Sequence, residues 1–254
     1  MPSSIIMSLK TDILRQLKER EGERVSGQIL AARFSVSRAA VWKAVSALKR
    51  EGYAIEGAPK AGYRLLPSDV LSADEIKAAL MGAGFSDVKI YVFSTLPSTN
   101  GYAERLLGEG LSSPAVVAAD EQTEGRARRG GNFSSKRGGL YMSLLFFPDA
   151  LPETSAKLAR AVYEGVNAVL CGERRENEIF RGEKKLCGIL TQFVTDPDRV
   201  KSCLAGIGVY VELLSDDVKK KYPTRNGLCA AIAQAVFENV KKGTGISLQN
   251  HPLY

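Results

Sequence analysis

The stretch AVVAADEQTEGRARRGGNFSSKRGGLYMSLLFFP, Ala115 to Pro148, reads as strand, glycine-arginine loop, strand. Any fold for this chain must set two apolar strands into a sheet and hold between them a loop of the opposite character. Residues 124–139 contain five glycines and five basic residues. Glycine lets the backbone approach a ligand, and Arg126, Arg128 and Arg129 supply charge-assisted bonds to phosphate or carboxylate. A disordered basic surface loop would not explain the two well-patterned strands around it. No Walker lysine-serine pair follows the loop and no GxGxxG opens a helix, which disfavours the ordinary nucleotide-binding folds.

Two neighbouring segments carry polar groups in similar settings. The apolar strand pattern KIYVFSTL leads into PSTN, with a helix over Gly101–Leu107. Ser98, Thr99 and Asn100 therefore stand at a strand-to-helix boundary, where short polar side chains cap the helix or grip a small ligand; the residues alone favour capping. Further on, KKLCGIL sets Lys184 and Lys185 against an apolar strand pattern that Gly188 interrupts. A charged run, RRENE from Arg174 to Glu178, lies just before it.

The N-terminal quarter has a different pattern. Leu9, Ile13, Leu14 and Leu17 form a helical stripe, Ser26 is placed to cap GQILAARF, and Ser37 to cap RAAVWKAVSALKREG. Ala40, Val41, Ala44, Val45 and Leu48 make the inner face of that second helix, which Gly52 ends. Tyr53–Ile55 and Tyr63–Leu66 flank a GAPKAG turn as a two-stranded wing. The spacing is that of a helix-turn-helix. Residues 1–66 hold twelve Lys and Arg against six Asp and Glu, most of the +7 net charge of the chain. That balance favours DNA over a solvated protein-interaction face. Ser37, Arg38, Trp42 and Lys43 would meet base edges, and Lys60 and Arg64 on the wing would meet phosphates.

Composition narrows the chemistry. With 254 residues and 44% hydrophobic content the chain has material for one large domain or two. No segment approaches the roughly 18 apolar residues of a membrane span, and charge interrupts MPSSIIMSLKTDIL before a signal-peptide core forms, so a cytoplasmic location is expected. The single histidine, His251, sits in an expected frayed tail, which argues against histidine triads and histidine metal sites. Cys171, Cys187, Cys203 and Cys229 lack metal-site spacing and are expected to be buried free thiols; no metal ligand set is assigned.

Residues 8–66, above all SRAAVWKAVSALKREGYAIEGAPKAGYRL, resemble the DNA-binding domain of the biotin operon repressor, the class of biotin protein ligase that also controls transcription. STN, QTEGRARRG, GGLYMS, KKLCGIL, AGIGVYVE and RNGLCAAI, in that order, resemble the catalytic domain of biotin protein ligases over most of residues 90–240. The resemblance implies an α+β chain: a winged helix-turn-helix over 1–66, a linker helix over 67–82, and a class II synthetase-like ligase domain over 83–254. The last would hold a seven-stranded mixed sheet with helices on one face. Biotin and ATP, with Mg2+, would be joined as biotinyl-5'-AMP, and the acyl group passed to a lysine of the biotin carboxyl carrier protein. Operator DNA and a homodimer on that DNA are further implications. A lipoate-type ligase is disfavoured by the winged helix and GRARRG.

By motif, the resemblance puts Ser98, Thr99, Asn100, Gln122, Gly125, Arg126, Arg128, Lys185 and Gly188 at biotin. Arg128 and Lys185 would be catalytic, and Arg129, Asn177 and Glu178 would lie on the nucleotide side. The family pattern before KKLCGIL is Lys-Trp-Pro-Asn-Asp; at the same offset this chain has Arg174, Arg175, Glu176, Asn177 and Glu178, with Asn177 alone unchanged. The helix running into CGERREN leaves little room for the preceding strand, so a sheet strand is expected to be shortened or lost. The small SH3-like barrel that follows in repressor-type ligases is also expected to be absent. Both departures touch the ATP half. The expected function is a biotin-responsive DNA-binding regulator with impaired ligase activity; a fully active bifunctional biotin–[acetyl-CoA-carboxylase] ligase is the alternative.

Overall fold

Serine caps set the frame of the N-terminal helices. The computed structural model describes residues 9–58, 61–127, 130–148 and 150–244. Helix α1 spans Leu9–Glu19, α2 Gly27–Arg33 and α3 Arg38–Arg50. Ser26 Oγ accepts from the Gln28 N–H, and Ser37 Oγ from the Ala40 N–H at 3.1 Å. Each cap satisfies a donor that the helix start leaves unpaired, a contribution of about 1 kcal/mol. Ile13, Leu17, Leu30, Val41, Val45 and Leu48 then close on one another as a single core. Strands β1 (Ile55–Ala58) and β2 (Gly62–Leu65) pair antiparallel as the wing, adding Ile55 and Leu65 to that core.

The chain divides into two compact units between Val70 and Leu71. The second opens with α4 (Ala73–Gly82), capped by Ser72, and continues with β3 (Lys89–Phe93), α5 (Thr99–Gly108), β4 (Ala115–Ala119), β5 (Leu140–Phe146) and α6 (Ser155–Leu170). Then come β6 (Glu173–Arg175), β7 (Glu178–Arg181), β8 (Lys184–Thr195), β9 (Val200–Val209), α7 (Asp216–Lys221) and α8 (Arg225–Thr244). The seven strands form one mixed sheet in the order β3-β4-β5-β9-β8-β7-β6, with β3 and β4 parallel and the other pairs antiparallel. Residues from α4, α6 and α8 pack on one face around Leu144, Phe146, Ile207 and Phe237. On the opposite face α5 brings Ala103 and Leu106 against Val117 and Leu204. Among the described residues no helix is long and apolar enough to cross a membrane.

Two expectations are corrected and one is narrowed. The segment 67–82 is more than a linker: Leu71, Ile76 and Leu80 are buried in the second unit's core, and the Ser72 N–H donates to Asn226 Oδ1 at 2.8 Å. The strand before KKLCGIL, expected to be shortened or lost, is present as the three residues of β6, closing a hairpin with β7 through a two-residue loop, Glu176 and Asn177. Its residues are exposed and charged, as an edge strand tolerates. Arg174 stacks on Tyr163 and Arg175 on Phe180, which places two cations where no apolar alternation was needed. Glu176 has φ 55°, a value closed to the proline of the family pattern, whose ring fixes φ near about −65°.

The second correction is Cys171, which is exposed at the left-handed end of α6, whereas Cys187, Cys203 and Cys229 are buried. Burial pushes those three thiols up, that of Cys229 to about 12. A thiol-exchange reagent is therefore expected to titrate Cys171 rapidly in the native chain and the other three only after unfolding. A second fast thiol would contradict this burial pattern. His251 lies outside the described residues.

Candidate functional site

Helix α5 begins inside the site. Ser98 is its N-cap, accepting from the Gly101 N–H at 3.3 Å, and Thr99 and Asn100 form its first turn. All three side chains are buried. The Thr99 N–H and hydroxyl both donate to Gln122 Oε1, at 2.8 and 3.0 Å. Ser143, fully buried on β5, lies 2.8 Å from Thr99 Oγ1 and donates to Asn100 Oδ1 at 2.6 Å. Asn100 Nδ2 donates to Gln192 Oε1, and Gln192 Nε2 donates to Glu104 Oε1 on the next turn of α5. Capping and wall-building thus coincide: the turn's polar groups are spent on one another, which fixes their geometry.

The described part of the glycine-arginine loop folds back on itself. Ala127 N–H donates to Gly131 O and Phe133 N–H to Gly125 O, at 2.7 and 2.8 Å. This fold sends the Phe133 ring onto the sheet, where it stacks on Tyr210 with centroids 5.5 Å apart. The space beneath the ring exists because Gly188 and Gly208 have no side chain, since a Cβ at either would strike Phe133; a Cβ at Gly206 would strike Asn100. Gln122 Nε2 reaches the same loop through Ser135 Oγ at 2.8 Å. Arg128 and Arg129 lie outside the described residues. Arg126 is half exposed, with Nη1 3.6 Å from Glu104 Oε2.

Strand β8 delivers the lysine by an irregularity. The β7–β8 register runs Ile179↔Cys187 and then Phe180↔Lys185, so Leu186 is an extra residue. Without this bulge Lys185 would share the core-facing side of Cys187; with it, Lys185 turns to the side of Gly188. Both then line one cavity with Ser98, Thr99 and Asn100, which Gln122, Arg126, Asn177 and Glu178 complete. Gly125 lines the adjoining cleft on the loop side. Glu178, opposite Gly188 across the strands, forms an ion pair with Lys185, whose Nζ also lies 5.2 Å from the Phe133 centroid.

The loop is clamped at both roots by α8. Arg225, 7% exposed, ion-pairs with Asp120 at 2.5 Å and donates to Gly139 O at 3.0 Å. Next to it Tyr141 donates to Lys136 O at 2.6 Å, and burial pushes its phenol up to about 12. Sequence reasoning missed Ser143, Gln192, Glu104, Phe133 and this clamp. A serine inside LYMSLLFF and the paired glycines of AGIGV were the available signals.

On the N-terminal unit, Ser37, Arg38, Trp42 and Lys43 are exposed along the first turns of α3, Trp42 at 60%. Arg64 is bound across the wing to Glu56 at 2.7 Å, and Arg24 reaches the same carboxylate at 3.0 Å. Lys60 lies outside the described residues.

Residues 10–64 match the HTH domain family, and residues 92–209 the biotin/lipoate A/B protein ligase family. The chain is 31% identical over 244 residues to the bifunctional ligase/repressor BirA of Bacillus spizizenii, covering 92% of this chain and 74% of that protein. The BirA of Bacillus subtilis is 30% identical over the same shares. A structure of the Leishmania major biotin protein ligase in complex with biotinyl-5-AMP aligns with a TM-score of 0.47 and 20% identity, over 61% of this chain and 76% of that one.

Proposed function

The chain belongs to the family of the bifunctional ligase/repressor BirA, and from that premise we propose that it is a cytoplasmic biotin-responsive transcriptional regulator whose own adenylate synthesis is slow. The observation that carries this reading is the meeting of Ser98–Asn100, Gln122, Arg126, Lys185 and Gly188 in one cavity, in a chain that also presents a winged helix-turn-helix.

Biotin lies in the cavity with its carboxylate toward Lys185, and Gly188 lets it pass close to the strand. In this reading the α-phosphate of ATP meets the same lysine, and Arg126, Arg128 and Arg129 are assigned to ligand anions. Two anions meet there, and fixed cations stabilise the charge that develops between them. Adenylate synthesis is slow because Glu178 stands where the family pattern has an aspartate. Its extra methylene moves the carboxylate by about one bond length, and a misplacement on the order of 1 Å costs up to ~100-fold in rate. Biotinyl-5'-AMP, bound more readily than made, favours a homodimer on two operator half-sites.

Purified chain incubated with biotin and labelled ATP is expected to bind biotin and to release pyrophosphate slowly, with Glu178→Asp faster by on the order of 100-fold. Wild-type turnover of about 1 s⁻¹ or more, with biotinylation of the carrier protein, would establish the fully active ligase instead. For DNA, Trp42 is the sole tryptophan and its fluorescence reports binding directly. Arg38→Ala is expected to relax base preference by roughly tenfold. Lys60→Ala is expected to weaken binding to all sequences and lower the salt slope by about one. Unchanged operator affinity at fixed salt in both variants would remove this assignment.

A further inference from the structure

The two described cations assigned to ligand anions are each met by a carboxylate of the chain itself. Glu104 lies beside Arg126 at 3.6 Å, and Glu178 pairs with Lys185 more closely. The second pair is built in. The β8 bulge turns Lys185 onto the face of Gly188, and the β7–β8 register puts Glu178 directly across from that glycine. With 30% and 41% of their side-chain surface exposed, Lys185 and Glu178 are open to an incoming ligand and only partly screened by water. The neighbouring Phe133 ring offers the ammonium its π-face but no competing anion.

We propose that Glu178 is a specificity-determining residue: an internal counter-ion that holds the anion position of Lys185 and that a ligand's carboxylate must displace. The proposal rests on reading this cavity as the biotin site. A free acid exchanges one ion pair for another and leaves Glu178 as an unpaired like charge beside it, which disfavours binding. A ligand with the same rings and a neutral carbonyl head leaves the pair intact. Glu178 therefore narrows the preference that Lys185 alone would give the acid, and shifts the cavity toward acyl groups whose carboxylate is already esterified or amidated.

The test compares biotin with biotinamide on the full chain by calorimetry, beside carbodiimide coupling, which links a carboxylate and an amine only in direct contact. A Glu178–Lys185 linked peptide, found by mass spectrometry, is expected in the free chain, suppressed by saturating biotin and retained with biotinamide. Glu178→Gln is expected to raise the ratio of biotin affinity to biotinamide affinity about fivefold, the scale of a partly exposed ion pair. A cross-link indifferent to biotin, or a Glu178→Gln variant that still binds biotinamide but leaves that ratio no higher than in wild type, overturns the proposal alone. A chain that binds neither compound, with or without the substitution, overturns the biotin reading and this proposal together.

Discussion

Lys185→Ala is expected to bind biotinyl-5'-AMP about 10- to 150-fold more weakly than wild type, the ~1.5–3 kcal/mol of a charge-assisted hydrogen bond. The loss has two sources. The ammonium that meets the ligand's anionic head is gone, and Glu178, deprived of its partner, is left facing the cavity as an uncompensated negative charge. Lys185→Ala/Glu178→Gln should therefore recover part of the affinity. In a slow enzyme the fold loss in adenylate binding and the small residual turnover fall together. In an active ligase the rate of adenylate formation falls far more than biotin affinity, because the lysine then acts on charge present only in the transition state. Adenylate affinity unchanged within about twofold by calorimetry would remove Lys185 from the site.

The second large effect is on stability. Arg225→Ala should destabilise the second unit by about 3 kcal/mol, since it strands Asp120, whose side chain is only 16% exposed, without its cation. For a unit of this size that lowers the melting transition by roughly 6–12 °C. Arg225→Met paired with Asp120→Leu removes both charges and should lose less. Proteolysis between 120 and 139 should accelerate in Arg225→Ala even well below its melting point, because the guanidinium holds both roots of that loop. A melting shift below about 2 °C would show that water or a neighbour replaces the pair.

The N-terminal unit was legible because local rules agree there: Ser37 caps, Val41, Val45 and Leu48 fall on one helical face, and the glycine at 52 follows the helix. The loop between Ala119 and Leu140 was legible because its composition contrasts so sharply with its flanks. What sequence alone could not supply is long-range. The face taken by Lys185 depends on a bulge opposite Ile179 and Phe180, and a one-residue slip reverses every side chain beyond it. Ser98, Thr99 and Asn100 read as a cap or a ligand grip; the pairing of Thr99 with Gln122 and of Asn100 with Ser143 joins positions 23 and 43 residues apart. The replacement of the family's aspartate at 178 was visible, but its pairing with Lys185 was not. Whether the edge strand β6 was shortened or lost stayed open in the sequence because an exposed strand needs no apolar alternation to form.

Helix α4 sets where this protein can be cut. A fragment begun at residue 83 would strip Leu71, Ile76 and Leu80 from α8 and the sheet, expose the hydrophobic trench they fill, and leave Asn226 without the N–H of Ser72. Such a piece would self-associate through the trench however sound its cavity. A fragment begun at residue 71 carries its own cover, so the ligase-like unit is best cut there, a full helix earlier than the boundary expected at residue 83.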